Sequence, residues 1–244
     1  MKYGLQLYSI KTISQDKGLR ESLKKAKEYG YDCVEFAGFF GLTADEVCEE
    51  LKKNGLETAG IHYSYADIKN DPKAAVEFSK SIGAYSVCIP WINFDSAEKW
   101  VDFGKEINEY GKMFNDAGIL FGFHNHVHEF EPIDGQLPID LILENSDSKN
   151  VFFELDTRHA AIAGCDPVKY AEKYKGRIPV LHARDTDGVN DCAVGKGIVD
   201  FPGVAKAAGD IKIFVVENEN FDKNEQELFS FCFLSVFLRS EKIK

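Results

Sequence analysis

Four residues able to hold a metal recur at matching places in the last four apolar runs of the chain: His124 in ILFGFHNH, Asp156 in NVFFELD, His182 in IPVLHARD and Glu217 in IKIFVVEN. Two imidazoles and two carboxylates make a ligand set of borderline hardness. Such a set suits Mn, Co, Zn or Fe better than Ca, which prefers oxygen alone. A buried charge that is neither paired nor metal-bound costs several kcal/mol, so four of them at equivalent positions point to one shared cation. His126 lies on the same side as His124 by the period-two rule, so either can be the ligand of this run while the other meets the substrate.

Other residues are placed to face the same centre. Glu35 ends YDCVEF, His62 lies in ETAGIHYS, Trp91 ends YSVCIPW, and His159 and Arg184 follow Asp156 and His182 closely. Trp91 offers a face for the C–H side of a sugar. Glu35 suits hydroxyl groups or a cation such as Arg184. Glu154, one pleat below Asp156, and Asp185, just after His182, are placed to orient imidazoles. His128 reads as a solvated loop residue. Lys196, between the glycines of VGKGIVDFPG, sits in a loop whose backbone can approach a ligand, which makes a weak phosphate signal.

The elements that must carry these residues are eight short β-branched or apolar runs: KYGLQLYS, YDCVEF, ETAGIHYS and YSVCIPW precede the four already named. Between them lie segments with helical apolar spacing, and four of these end at Gly30, Gly55, Gly83 and Gly118, residues suited to the left-handed stop of a helix. Alternation of this kind gives parallel strands with right-handed crossovers, and eight units close a (β/α)8 barrel of roughly 250 residues. The expected organisation is therefore α/β, a single TIM barrel over residues 1–244, with its chemistry at the C-terminal ends of the strands. An open doubly wound sheet is the competing architecture, but no glycine-rich turn follows the first strand. The last stretch, NEQELFSFCFLSVFLRSEKIK, is more apolar than an outward-facing barrel helix needs, and covers the barrel floor or packs on a second copy, so a homo-oligomer is admitted.

A net charge of -11 disfavours nucleic acid, and no apolar run reaches the ~20 residues of a membrane span. The opening MKYGLQLYSI has no basic leader, and the six scattered cysteines read as free thiols, so a cytoplasmic protein is expected.

Taken together, GLQLYSI, GYDCVEFAG, FHNHVHEFEP, FELDTRHAAIAGCDP, LHARD, VGKGIVDFPG and VVENENFD resemble the sugar phosphate isomerase/epimerase family, the xylose-isomerase-like TIM barrels. The resemblance runs from the first strand to the eighth. It implies one divalent metal, Mn, Co, Zn or Mg, held from strands five to eight by a Glu, an Asp, a His and a second Glu. Asp156, His182 and Glu217 match by position, whereas His124 replaces the first Glu. In the family's ketose 3-epimerases those two glutamates flank the reacting carbon. The His-x-His pattern is similar instead to inosose dehydratases.

The expected reaction is proton abstraction next to the carbonyl of a small keto-sugar, with Glu217 as base, its pKa raised toward working pH by a closed mouth. His126 or His159 returns the proton, giving an isomerase or epimerase, or protonates a leaving hydroxyl, giving a dehydratase. The expected substrate contacts are Glu35, His62, Trp91, Arg184 and Lys196. A phosphoesterase or nuclease on the same barrel would need more ligands and a basic groove. A non-catalytic sugar-binding subunit would need no metal.

Overall fold

Residues two apart on a strand share a face, and this rule sets the layers of the molecule. On one face Cys33 is followed by Glu35, Phe152 by Glu154 and Asp156, Val180 by His182, and Ile213 and Val215 by Glu217. Each of these strands therefore carries an apolar residue low in the interior and a polar one higher up.

The computed structural model describes residues 1–219. Its strands are β1 (Lys2–Gln6), β2 (Cys33–Phe36), β3 (Glu57–His62), β4 (Ser86–Ile89), β5 (Leu120–His124), β6 (Phe152–Asp156), β7 (Val180–Ala183), β8 (Asp185–Thr186), β9 (Asp191–Cys192) and β10 (Ile213–Val216). Eight of them close into a parallel barrel in the order β1-β10-β7-β6-β5-β4-β3-β2, while β8 and β9 form a small antiparallel hairpin after β7. The eight runs read from the sequence are the eight barrel strands.

The helices are α1 (Lys11–Lys17), α2 (Leu19–Glu28), α3 (Ala44–Asn54), α4 (Tyr65–Asn70), α5 (Pro72–Ser81), α6 (Ala97–Asp116), α7 (Pro138–Glu144), α8 (Thr157–Ile162), α9 (Pro167–Lys173) and α10 (Phe201–Ala208). Local chemistry fixes their ends. Thr43 and Glu46 form a reciprocal capping box at the start of α3, and Gly55 ends that helix at φ 60°. Gly30, Gly83 and Gly118 likewise have positive φ. Long helix α6 buries Trp100, Phe103, Ile107 and Phe114 at helical spacing against the sheet.

Inside the barrel, Cys33, Ala59, Cys88, Phe152, Val180, Ile213 and Val215 make an apolar floor. Burying each larger member contributes roughly 1.5–3 kcal/mol. Gly122 makes room for Phe152, since a Cβ there would sit 2.7 Å from the Phe152 carbonyl. Above the floor lie Glu35, His124, Glu154, Asp156 and His182, all buried. Polar groups in such a place need partners, so the floor sets the depth of the site and the polar tier defines it.

Among the described residues the five cysteines are free, and no helix is long and apolar enough to cross a membrane. The apolar final stretch from Asn224 to Lys244, with Cys232, lies outside the described residues.

Candidate metal centre

The register places the ligand candidates together. His124 at the end of β5 pairs with Glu154, Asp156 at the end of β6 pairs with His182 of β7, and Glu217 follows the last residue of β10. One ligand atom from each of His124, Asp156, His182 and Glu217 lies within 4.8 Å of the others, and all four residues are buried.

One atom gives the strongest sign that a cation fits. Asp156 Oδ2 is buried and lacks a hydrogen-bond partner. The other Asp156 oxygen accepts from His159 N at 2.8 Å and so caps α8, which leaves Oδ2 for the centre. Burial and the neighbouring imidazoles push His124 well below its ordinary pKa, so it is neutral, the form that binds metals. His126 is set further out, with its ring centroid 5.0 Å from that of His124, and it is His124 that belongs to the four-residue cluster.

A second tier lies beneath. Glu35 Oε2 is 2.6 Å from His182 Nε2, 3.1 Å from His62 Nε2 and 2.8 Å from Gln6 Nε2. Glu154 Oε2 is 2.8 Å from His62 Nε2 and 3.2 Å from His124 Nδ1. Glu35 thus pairs with imidazoles rather than with Arg184, and it sits below the four candidate ligands. Gly60 clears the space for it, because a Cβ there would lie 2.4 Å from Glu35 Oε1. His182 joins the tiers: its Nδ1 is 3.2 Å from Glu217 Oε2 while its Nε2 is held by Glu35. A carboxylate on the far nitrogen fixes ring orientation and raises ligand basicity.

The charges of this tier follow from contact. Burial pushes the His62 imidazole down, but Glu35 and Glu154 outweigh it and raise its pKa to about 10. Burial pushes Glu35 up, yet His62 and His182 hold it well below the carboxylate range. Burial, with the charge of Glu35 beside it, raises Glu154.

The opposite wall is built from His126, His159, Trp91 and Arg184. The His126 and His159 ring centroids are 4.8 Å apart, and Trp91 meets His126 edge-on at 4.8 Å while remaining 56% exposed. Arg184 Nη1 lies 3.0 Å from His159 Nε2. Arginine can only donate, so that nitrogen is the acceptor and Nδ1 of the neutral ring carries the proton. Burial and the neighbouring His159 lower His126 to about 3, and burial also lowers His159. All six histidines of the chain gather at this mouth.

Several expectations change. Burial alone would raise Glu217, but the His182 hydrogen bond and the Arg184 charge hold it at about 2, so it is not poised near neutral pH. Arg184 is engaged by Asp191 at 2.9 Å and Glu219 at 2.9 Å as well as by His159. His128 is half-buried, with Nε2 2.8 Å from the Ile92 carbonyl, rather than solvated. Asp185 orients no imidazole. It accepts instead from Thr186 N (2.9 Å), Gly195 N (2.8 Å), Gly197 N (2.9 Å) and Val199 N (3.2 Å). Lys196 lies exposed on that loop.

Two residues that shape the site escaped sequence reasoning. Asn125 accepts from Asp156 N at 2.9 Å and donates to the Asp156 carbonyl at 3.3 Å, which clamps the end of β5 to β6. Glu129 accepts from His126 N at 2.7 Å and lies 3.0 Å from His128 Nε2. Their places inside FHNHVHEF were the only available signal.

A family model described as xylose isomerase-like TIM barrel matches residues 23–230. An inosose dehydratase of Lactiplantibacillus plantarum is 24% identical over 199 residues, which cover 72% of this chain and 65% of the relative, so the chain spans just under two thirds of that protein. A sugar phosphate isomerase/epimerase structure from Parabacteroides distasonis superposes with TM-score 0.80 at 23% identity, covering 93% of this chain and 90% of the other. A structure of IOLI protein with a binding zinc atom superposes with TM-score 0.74 at 15% identity, covering 99% of each chain. At these identities the two structures establish the shared fold.

Proposed function

The chain belongs to the xylose isomerase-like TIM barrel family, and from that premise we propose that it is a divalent-metal-dependent enzyme that removes a proton next to the carbonyl of a small keto-sugar or inosose. One observation carries the reading: four ligand atoms within 4.8 Å of one another, with the buried Asp156 Oδ2 lacking a hydrogen-bond partner. A divalent ion held by His124, Asp156, His182 and Glu217 supplies Lewis-acid polarisation of the carbonyl. The zinc named for the IOLI protein supports that assignment.

The chain's own residues supply the rest. Glu217, ionised beside His182 and Arg184, takes the proton from carbon. His126 and His159 form the second wall, where the His159 Nδ1–H holds a substrate oxygen and His126 exchanges a proton with it. Trp91 stacks on the C–H face of the ring, Glu35 keeps His182 in place from below, His62 pairs with Glu35 and Glu154 in the lower tier, and Arg184 fixes His159. Lys196 contacts the outer part of the substrate from its loop.

Return of the proton to carbon gives isomerisation or epimerisation. Loss of a neighbouring hydroxyl gives dehydration. The second outcome is favoured by His124, which stands where an epimerase of this kind would place its other glutamate, and by the inosose dehydratase relative. The test is incubation with a panel of keto-sugars and inososes plus Mn, Co or Mg in deuterated water, followed by NMR. Label uptake with the skeleton retained identifies an isomerase or epimerase, and loss of a hydroxyl identifies a dehydratase. If no compound exchanges or reacts on metal-loaded protein, the enzyme reading falls and a sugar-binding subunit replaces it.

The pH profile follows from the lowered groups. Glu217, at about 2, and His126, at about 3, are in their proton-accepting forms above those values and lose them only as pH falls through them. With metal saturating, kcat/KM should stay level from neutral pH down to about pH 5, without the limb near 6.5 that an ordinary imidazole gives. A midpoint near 6.5 would assign the step to a group less buried than either.

A further inference from the structure

We infer that Asp185 is a built-in anion that fills the glycine-loop amide nest, and that the mouth therefore takes an un-ionised keto-sugar rather than its phosphate ester. The second half rests on the proposed function; the first does not.

A phosphate is held by converging N–H groups, by an arginine fork or by a lysine. The N–H groups are present here, since the amides of Gly195, Gly197 and Val199 in the GKGIV loop converge with that of Thr186. What they converge on is the Asp185 carboxylate: Oδ2 accepts from Gly195 and Gly197, and Oδ1 accepts from Thr186 and Val199. Asp185 is 1% exposed, so this is a completed internal contact. The loop also lies too close to β8 to admit a ligand between them. A Cβ on Gly197 would fall 2.1 Å from the Thr186 carbonyl and 2.3 Å from Asp185 Oδ1, and Ile198 N donates to the same carbonyl at 2.8 Å.

Among the described residues, the two arginines of the mouth, Arg158 and Arg184, are committed as well. Arg184 is surrounded by Asp191, Glu219 and His159, with Asp156 and Glu217 each 3.8 Å away, and Arg158 pairs with Asp191. A phosphate dianion entering here would have to displace carboxylates from both arginines and then sit among them. Neutral hydroxyls face no such repulsion, and carboxylates accept hydrogen bonds from them. Of the rim lysines among the described residues, Lys11 has its Nζ 4.0 Å over the Tyr8 ring, and Lys196 is exposed on the loop.

The experiment titrates inorganic phosphate to about 20 mM, well above the millimolar Kd of a weak site, into the magnesium-loaded protein. The readout is the amide resonances of Gly195, Gly197 and Val199. No shift of these amides is expected, and Asp185→Gly, which removes the side chain and empties the nest, should bind phosphate at least ~10-fold more tightly at the same amides. Shifts of the loop amides in the wild type, or an Asp185→Gly variant that folds and binds phosphate no better, overturn the assignment. If the variant does not fold, the wild-type titration decides. In parallel, a free keto-sugar that is turned over should exceed its phosphate ester by ~100-fold or more in kcat/KM, a difference of about 2.7 kcal/mol. Preference for the ester overturns the substrate class. Absence of turnover with both removes the catalytic reading, while the phosphate titration still decides the role of Asp185.

Discussion

Replacing His182 by glutamine is expected to lower bound metal by at least ~10-fold and turnover by ~1,000-fold or more. His182 joins both tiers through its two ring nitrogens, with Nδ1 3.2 Å from Glu217 and Nε2 2.6 Å from Glu35. The substitution also leaves the buried Glu35 carboxylate with a weaker partner, and breaking a buried pair of this kind costs about 3–5 kcal/mol. Metal content after dialysis, kcat/KM and Tm measured on one preparation separate the two effects. His62→Ala is the control. His62 lies within the lower cluster only, so the variant should lose stability while keeping metal within ~3-fold, less than the 10-fold that loss of a metal-orienting partner costs at the least. Equal metal loss in both variants would place the ion lower in the barrel.

Glu217→Gln should reduce solvent-deuterium uptake at the substrate carbon by ~100- to 10,000-fold with the fold intact. The amide keeps the size and shape of the carboxylate, and its oxygen can still meet His182 Nδ1 at 3.2 Å, so the packing around it persists. Three ligands also remain, and metal should be retained at higher concentration. The depressed pKa of Glu217 sharpens the case. A carboxylate held at about 2 is a weak base, so the step depends on acidifying the C–H by polarising the carbonyl, and the variant and metal removal should fail together. If exchange survives in the variant, proton abstraction belongs to His126 or His159 instead.

The sequence carried the barrel and the upper tier because both obey short-range rules. Gly30, Gly55, Gly83 and Gly118 stop helices through backbone conformation, and the period-two pattern puts Asp156, His182 and Glu217 on one face at comparable heights. The lower tier follows no such rule. Glu35 and His182 are 147 residues apart, and which carboxylate meets which imidazole across the interior depends on stagger and on the register shift between Val34 and Glu35. Periodicity could place Glu35 indoors but could not choose His182 over Arg184 as its partner.

Asp185 shows a different limit. Its neighbour in sequence, His182, suggested an orienting carboxylate, but the β8–β9 hairpin turns the chain so that the glycine loop closes over Asp185. A two-residue strand leaves little trace in composition. Asn125 and Glu129 were hidden for a related reason, since a side chain that clamps backbone looks the same in sequence as one exposed in a loop. For Glu217 the sequence implied burial, and so a raised pKa, without the His182 and Arg184 contacts that outweigh it.

A crystal soaked in manganese and measured at the manganese edge tests the central claim most directly. The account predicts one anomalous peak surrounded by side-chain atoms of His124, Asp156, His182 and Glu217 at about 2.0–2.3 Å. An empty space between those four residues, or a peak held by His62 and Glu154 in the tier below, would contradict it.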